Sequence, residues 1–468
     1  MATCRRLTQT VNGTVAPFSK ERKGIAMIRM HGEYRRHLRS GIRIPVTVSY
    51  ADHAFETSTL DISVSGLRLK RPEGIFIRAG EKVDIHFRDK ADTKVVATVM
   101  HTGQSHIGVQ FYDRRFTGPE LRAFYEVAPL WQRLSTRTRR ALWKQGRRFA
   151  VFSANTYLRS LILALVRPRF IFAVYGNEKQ VRSYFTPAMA RRMPFNLLLG
   201  FIRNENMRGL MVAPQFLEDE LQADSDKVRL YIERLQQDFP EARRIALVGR
   251  LPNFVKKAGI EIAPPLVEGS LGTRYMIWDI ARQMRERPQY REQNSIVVLG
   301  GAGRIGNAVC QDLTSLYDRV IGLDPRYEED NEITTDQGTV LQTASLEHLH
   351  DQPLYIALTQ RGDDVLDLYT HMPAGAMIAD DTHPCISLKV RERLQENRIE
   401  VEKIVLSHDQ FMMWPRMPDW NNRDIPGCLV EALVLLNQPD IAEGGFDHFC
   451  RQAERLGFTG RLVRPLDE

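Results

Sequence analysis

The chain has 468 residues, of which 43% are hydrophobic and 26% are charged, and its formal net charge is +8. This length is about three times that of a typical domain, and the ordinary composition excludes a mostly disordered chain, a collagen and a coiled coil. Five cysteines at irregular spacing exclude a disulfide scaffold and form no zinc-binding pattern, so no metal site is predicted.

The positive charge is concentrated in the first third of the chain. Residues 1–150 contain 28 Lys and Arg against 13 Asp and Glu, a balance of +15, whereas residues 151–468 carry −7. We therefore expect an anionic partner to bind the first third. The amino terminus lacks the apolar core of a signal peptide. Arginines interrupt the most apolar stretch, Leu158 to Tyr175, so no transmembrane segment is predicted. This stretch predicts a buried helix followed by the strand Phe170–Tyr175. We therefore expect a cytoplasmic protein.

Short alternating strands dominate the segment that follows a basic flexible tail, predicted for residues 1–30. Turn residues separate these strands at short intervals, which predicts a small antiparallel β-barrel over residues 31–118. The predicted strands cover residues 42–50, 66–70, 83–87, 95–100 and 107–111.

A helical linker and two α/β segments complete the predicted organisation. Residues 119–150 predict a basic helical linker, which is either a surface for phosphates or lipids or, as we favour, a solvated connector. Residues 151–290 predict an α/β middle domain of the substrate-binding type. Residues 291–468 alternate regularly between strand and helix, which predicts a doubly wound, Rossmann-like dinucleotide-binding domain. The predicted fold class is thus a small β-barrel followed by an α/β region with a Rossmann-like sheet.

Two groups of residues in the first third predict a ligand site. Arginines cluster before the first barrel strand, and planar guanidinium groups can bind phosphates or the O6/N7 edge of guanine. An Asp-x-Ser-x-x-Gly sequence follows, in which the carboxylate can accept hydrogen bonds from guanine and the hydroxyl can bind a phosphate or a base edge. Its Asp and Ser are two residues apart on one strand and share a face. The candidate residues are Arg35, Arg36, Arg39, Asp61, Ser63 and Gly66.

Taken together and in this order, the two groups resemble the PilZ domain over about residues 31–115. The resemblance implies a bacterial receptor for the second messenger cyclic di-GMP. It implies that the arginines grip guanines and phosphates, and that the Asp-x-Ser-x-x-Gly segment closes over the ligand from the barrel surface. The alternative is a barrel of this type whose site residues serve packing alone.

A glycine-rich turn follows the predicted strand 295–299. Gly301, Gly303 and Gly306 permit a tight turn, approach of a pyrophosphate to backbone N–H groups and close packing of helix on strand. Asp324 ends the next strand, where it can bind a ribose 2′-hydroxyl and favour NAD, whereas Arg326 nearby can meet the 2′-phosphate of NADP. The predicted cofactor is NAD or NADP, and the alternative is a Rossmann-shaped unit that binds neither.

Short segments between about residues 205 and 460 resemble the long-chain acyl-carrier-protein reductases, which release fatty aldehydes. The matching segments are 209–215, 246–249, 269–275, 303–310 and 426–432. The resemblance implies that Cys428 attacks an acyl thioester, that Gly269, Thr273 and Tyr275 line the cleft, and that NADPH is the reductant. A lone cysteine that opens an apolar helix is otherwise a core residue. The helix amino terminus is expected to lower the pKa of Cys428.

The predicted function is a bacterial cyclic di-GMP receptor whose barrel regulates an attached NAD(P)-binding module, with acyl-thioester reduction as the candidate reaction. The expected partners are cyclic di-GMP and an acyl carrier protein or an acyl thioester. A second hypothesis is a non-enzymatic signalling adaptor whose Rossmann-like body docks a partner or senses a nucleotide. A nucleic-acid binder is the least favoured hypothesis, because no groove-reading helix or aromatic-interleaved basic sheet is apparent.

Overall fold

The computed structural model of the chain describes residues 43–50, 53–63, 66–72, 74–75, 77–78, 80–87, 93–103, 105–111, 142, 145–415, 417 and 420–463. The predicted site arginines Arg35, Arg36 and Arg39 lie outside these residues. The predicted tail and most of the predicted basic linker lie outside them too.

The first described part of the chain is a closed barrel of six antiparallel strands in the order β1-β2-β3-β6-β5-β4. The strands are β1 (Pro45–Tyr50), β2 (His53–Ser63), β3 (Gly66–Lys70), β4 (Lys82–Phe87), β5 (Lys94–Thr102) and β6 (His106–Phe111). Alternate apolar side chains point inward and fill the barrel interior with buried Val, Ile, Leu and Phe. The predicted barrel is confirmed. The sequence did not delimit β2, because the first half of this strand is polar and at most half-buried.

The second sheet has six strands in the order β11-β10-β7-β9-β8-β19. These are β7 (Phe170–Ala173), β8 (Asn196–Asn204), β9 (Met207–Pro214), β10 (Arg244–Leu247), β11 (Leu266–Val267) and β19 (Phe411–Trp414). The first four in that order are parallel, whereas β8 and β19 run antiparallel to their neighbours. Strand β19 belongs to this sheet although its residues fall inside the predicted segment 291–468.

The third sheet has eight strands in the order β14-β15-β13-β12-β16-β17-β18-β20. Its strands are β12 (Ser295–Leu299), β13 (Arg319–Leu323), β14 (Asn331–Thr334), β15 (Thr339–Thr343), β16 (Leu354–Ala357), β17 (Met377–Asp380), β18 (Glu400–Ser407) and β20 (Thr459–Val463). The six parallel strands from β15 to β18 have the order 3-2-1-4-5-6 of the doubly wound Rossmann fold, as the sequence predicted. The edge strands β14 and β20 are antiparallel additions.

Helices cover and connect the two open sheets. They are α1 (Gln145–Thr156), α2 (Arg159–Val166), α3 (Glu178–Tyr184), α4 (Pro187–Ala190), α5 (Glu218–Ala223), α6 (Ser225–Asp238), α7 (Leu251–Lys257), α8 (Ser270–Glu286), α9 (Arg304–Leu313), α10 (Leu388–Glu396), α11 (Gly427–Asn437) and α12 (Gly445–Arg455). The buried helices α8 and α11 pack on each other within one core that residues of both sheets share. The chain therefore connects the two sheets through a common interior.

Helix α2 differs from its prediction. The sequence predicted a buried helix here, but none of its residues is buried. Its inner face packs on the second sheet through Ile162, Leu163 and Val166, and its remaining leucines face outward. Within the described residues no single helix is long and apolar enough to cross a bilayer; α1 and α2 reach that length and apolarity only as a pair, which is bent by 80°.

Candidate functional site

The Asp-x-Ser-x-x-Gly segment lies where β2 turns into β3. Asp61 and Ser63 are buried, and the Ser63 hydroxyl donates a hydrogen bond to the carbonyl oxygen of Gly66 (2.8 Å). Gly66 packs tightly on β6, because a Cβ atom there would lie 2.3 Å from the carbonyl oxygen of Val109. These contacts join the end of β2 to the start of β3, and the start of β3 to β6.

Asp61 has a partner that the sequence analysis did not assign. Arg68 lies directly opposite Asp61 in the β2–β3 pair, and its Nε donates a hydrogen bond to Asp61 Oδ2 (2.5 Å). Cross-strand register is the signal that pairs them, since residues opposite each other share a face. Arg68 therefore supplies a positive charge beside the predicted acidic site residue.

The glycine-rich turn connects β12 to α9. The N–H groups of Gly300 and Gly301 both donate to the carbonyl oxygen of Leu323 at the end of β13 (2.8 and 3.1 Å). Gly306 allows the helix to approach this turn, because a Cβ atom there would lie 2.1 Å from the carbonyl oxygen of Gly300. Helix α9 begins after Gly303 without a side-chain cap, and its first turn lines the large cavity.

Asp324 lies at the end of β13, against this turn. One carboxylate oxygen accepts hydrogen bonds from Ala302 N–H (3.1 Å) and Arg326 Nη2 (2.7 Å), and the other accepts from Arg326 Nε (2.8 Å). Burial alone would raise the pKa of Asp324, but these hydrogen bonds outweigh it and hold the pKa below its ordinary value. An ionised carboxylate therefore lies beside the glycine turn and is bound by Arg326.

One cavity of about 1230 Å³ extends from the glycine turn to Cys428. Gly303, Gly306 and Asp324 line it, and so do Gly269, Thr273 and Cys428, but Gly301 does not. A Cβ atom on Gly269 would lie 2.4 Å from that of Cys428, so this glycine lets the start of α8 touch the start of α11.

Tyr275, predicted to line the cleft, lies instead in the core. Its side chain is fully buried, and its hydroxyl donates to the carbonyl oxygen of Phe458 (2.6 Å). Helical spacing was the signal that could have separated the two residues, because Thr273 and Tyr275 are two apart and face opposite ways on α8.

Cys428 has a higher pKa than the sequence predicted. Burial raises the pKa of its thiol to about 12, and the carboxylate of Asp381 adds to the rise. The backbone N–H groups of Gly249 and Leu429 act in the opposite direction but are weaker than the burial. The thiol is therefore neutral near pH 7, and the helix amino terminus does not activate it alone.

Four side chains from the Rossmann-type half face the same cavity and were not predicted as site residues: Asp381, His383, Lys403 and Trp420. The ammonium group of Lys403 lies 3.9 Å from the centroid of the Trp420 ring, and the ring of His383 stacks on Trp420 at 6.1 Å. Burial raises the pKa of Asp381 to about 8, and Lys403 partly opposes that shift. Burial, assisted by Lys403, lowers the pKa of His383 to about 4.

The position of these side chains follows from the sheet topology. Lys403 is opposite Asp380 in the β17–β18 pair, and Asp381 and His383 follow β17. The carboxyl ends of parallel strands form the binding edge of a doubly wound sheet. Among the described residues, no group of three or more His, Cys, Asp or Glu side chains can hold a metal ion.

Comparison with known proteins identifies the barrel. Residues 33–117 match the model of the PilZ domain family. The barrel is a PilZ domain. The match covers a minority of the chain, and no curated protein sequence matches the chain.

Solved structures similar to the PilZ domain and to the rest of the chain share little sequence with it. The inhibitor of motility from Bacillus subtilis is 15% identical, and the alignment covers 20% of this chain with a TM-score of 0.17. The aligned part spans about half (49%) of the length of the inhibitor. The PilZ domain of CeSA from a cellulose-synthesizing bacterium is 16% identical over 19% of this chain and 94% of its own, with a TM-score of 0.16. L-tryptophan dehydrogenase from Nostoc punctiforme is 12% identical over 62% of this chain and 80% of its own, with a TM-score of 0.32.

Replacing Asp324 with serine is expected to shift cofactor preference toward NADPH. The substitution removes the carboxylate that repels a 2′-phosphate and releases Arg326 to bind it. We expect the ratio of the dissociation constants for NADH and NADPH to change by about tenfold, corresponding to about 1.4 kcal/mol. Fluorescence titration of the two nucleotides measures it, with Asp336→Ser, an exposed carboxylate on the β14–β15 turn, as the control. An unchanged ratio would contradict the assigned role of Asp324.

Replacing Asp381 with asparagine is expected to accelerate alkylation of Cys428 only at alkaline pH. Below a pH of about 8 the Asp381 carboxyl is protonated, so it does not influence the thiol and the variant should match the wild type. Above that pH the wild-type carboxylate disfavours the thiolate, and its removal lowers the pKa of Cys428. Iodoacetamide labelling followed by mass spectrometry from pH 6 to pH 10 measures the rate at Cys428. Equal rates throughout would show that the two groups do not interact.

Proposed function

We propose that this protein is a cyclic di-GMP receptor whose PilZ domain regulates a nucleotide-dependent acyl-thioester reductase module. The first part is supported by the family match over residues 33–117 and by the presence of every predicted motif residue in that segment. In the described part of the site, Ser63 donates a hydrogen bond to Gly66 at the start of β3, and Arg68 adds a guanidinium group beside Asp61. Guanine edges and phosphates are the ligands that such groups recognise.

Regulation has a candidate route through α1, which follows the PilZ domain in the sequence. Arg147 lies over the ring of Tyr184 (4.9 Å), and Arg148 donates a hydrogen bond to the carbonyl oxygen of Arg182 (2.5 Å). Tyr184 ends α3 and lines the large cavity. A displacement of α1 would therefore move the cavity wall. Cyclic di-GMP can favour one position of α1 only if it binds the protein with different affinity in the two positions.

The residues around the glycine turn fit a dinucleotide. Gly303 and Gly306 with the uncapped start of α9 would hold the pyrophosphate, and Asp324 would hold the ribose. When bound in its reduced form, such a cofactor supplies a hydride. Side chains of this chain would carry out the other steps, which are bond formation to the acyl carbon and proton transfer.

The observation that carries the proposed reaction is that Cys428 and the glycine turn line the same cavity, whose lining also includes apolar side chains. This apolar part of the lining consists of Val181, Tyr184, Phe185, Leu199, Met211 and Ala213. An extended hydrocarbon chain would be desolvated there while its thioester lay at Cys428. This arrangement favours an acyl thioester over a small polar substrate.

In the proposed reaction, the Cys428 sulfur forms a bond to the acyl carbon, and the bond from that carbon to the carrier sulfur breaks. The ionised form of Asp381, which prevails above its pKa of about 8, would accept the Cys428 proton and pass it to the departing carrier thiolate. A reduced nucleotide held at the glycine turn would supply a hydride for the acyl carbon. The sulfur of Cys428 would then leave with the bonding electron pair and take up a proton from solvent, and the aldehyde would be released. Lys403, which lines the same cavity, would supply a positive charge to the oxygen that becomes negative in both steps.

A second candidate function is a non-enzymatic adaptor, and the neutral thiol of Cys428 favours it. A thiol with a pKa of about 12 is a poor nucleophile unless a base accepts its proton. In that case nucleotide binding in the cleft would alter docking of a partner, with no turnover.

Reduction of a long-chain acyl thioester, carried out with NADH or NADPH and with or without cyclic di-GMP, separates these functions. The reductase proposal predicts aldehyde formation that cyclic di-GMP changes severalfold. Nucleotide binding without aldehyde formation under any of the four conditions would support the adaptor and reject the reductase.

A further inference from the structure

Exposed apolar side chains are concentrated on α2 and just before it. Leu161 and Leu165 lie one turn apart on this helix and are 56% and 66% exposed, and Tyr157 and Leu158 precede them with 77% and 46% exposed. The opposite side of α2 packs on the second sheet, so this row of side chains has solvent in front of it. Exposed side chains of this size are uncommon as a group on a soluble surface.

The same apolar surface continues onto the edge of the second sheet. Trp414 is directly opposite Phe201, and Met412 is directly opposite Arg203, in the β8–β19 pair. Side chains opposite each other or two apart on a strand share a face, and all four of these are exposed. Arg203 in turn pairs with Arg208, which donates a hydrogen bond to the carbonyl oxygen of Leu165 on α2 (3.3 Å).

Arginines border this surface on one side. The backbone N–H of Arg169 donates to the carbonyl oxygen of Arg208 (2.8 Å), and the N–H of Arg243 donates to that of Arg169 (2.9 Å). These three arginines, with Arg167 at the end of α2 and Arg203, are all exposed. None of the five forms an ion pair with another described residue, so their charge is directed outward.

The charge decides between the partners that could cover such a face. A second copy of the chain would bring five arginines against five arginines, which is unfavourable without intervening anions. Leucines with flanking Trp, Tyr and Arg side chains match instead the interface of a bilayer, where apolar groups enter the acyl region and guanidinium groups meet phosphates. We propose that this α2 face, formed by α2 and the exposed ends of β8 and β19, binds the surface of a membrane that contains anionic lipids.

Vesicle flotation of the full chain tests this proposal. The probes are vesicles of phosphatidylcholine alone and vesicles with about one third phosphatidylglycerol, an anionic content sufficient to recruit basic surfaces. The apolar variant is Leu161→Asp with Leu165→Asp, and its control is Leu230→Asp, an exposed leucine on α6. The charge variant is Arg167→Ser with Arg208→Ser, and its control is Arg319→Ser, an exposed arginine that begins β13. All four change exposed positions, and thermal melting checks that each variant folds.

The wild type and both controls should float with anionic vesicles and stay in solution with phosphatidylcholine alone. Each double variant should lower the bound fraction about tenfold, since both apolar insertion and charge contribute to such binding. Three results would overturn the proposal. The first is that the wild type does not float with anionic vesicles. The second is that the leucine variant floats as well as the wild type, as expected if the basic amino-terminal third alone binds the membrane. The third is that the wild type self-associates in solution and the leucine variant does not.

Discussion

Replacing Cys428 with serine is expected to abolish aldehyde formation from an acyl thioester. A serine hydroxyl at this position is far less nucleophilic than a thiolate, and no other described cysteine or serine stands beside Gly249 at the start of α11. We expect the rate to fall by about a thousandfold or more, equivalent to about 4 kcal/mol of transition-state stabilisation. A discontinuous assay of aldehyde, performed with saturating nucleotide, measures the loss.

The matched control is Cys385→Ser, because Cys385 lines the same cavity and the substitution is chemically identical. This variant should retain turnover, and both variants should bind NADH or NADPH like the wild type. The companion variant Asp381→Asn should lose turnover while its Cys428 is alkylated faster at high pH, a combination that a purely structural role of Asp381 would not produce. Full activity in Cys428→Ser would remove Cys428 from the mechanism.

Replacing Arg39 with alanine is expected to weaken cyclic di-GMP binding by about a hundredfold. A hydrogen bond to a charged group contributes about 1.5–3 kcal/mol, and a guanidinium group can form two with a phosphate or a guanine edge. The measurement is the dissociation constant from calorimetric titration. Arg78→Ala is the control, because it removes the same charge from an exposed position between β3 and β4, away from the β2–β3 turn.

The Arg39→Ala measurement distinguishes a defined cyclic di-GMP site from general electrostatic binding of polyanions. Binding that survives Arg39→Ala but falls steeply with salt would indicate a nucleic-acid-like electrostatic interaction with the basic first third of the chain. Binding that Arg39→Ala and Arg78→Ala weaken equally would likewise contradict a defined arginine site.

Local sequence patterns predicted those parts of the fold that depend on neighbouring residues. The strand 295–299 is observed with the predicted bounds, and the glycine turn and the helix from Arg304 follow it, because buried strands and glycine turns have short-range signatures. Barrel strands were recognised from alternation, and the bounds of β2 were not predicted because its alternation is weak.

The rest depends on contacts that are distant in sequence. Nothing within residues 411–414 indicates that they pair with β8, since that pairing arises only when the chain crosses back to the second sheet. The cluster of Asp381, Lys403 and Trp420 forms from three separate segments that the sheet topology brings together. The pKa of Cys428 also escaped prediction, because it is set by burial against α8 and the second sheet rather than by its position on a helix.

The central claim, that the PilZ domain controls the cleft, is tested most directly by calorimetric titration of cyclic di-GMP into the full chain with and without saturating NADH. We expect one saturable site for cyclic di-GMP, whose dissociation constant changes about fivefold or more when NADH is present. The dissociation constant for NADH should change by the same factor when cyclic di-GMP is present, since coupling free energies are reciprocal. No binding of cyclic di-GMP, or two dissociation constants that do not respond to each other, would contradict it.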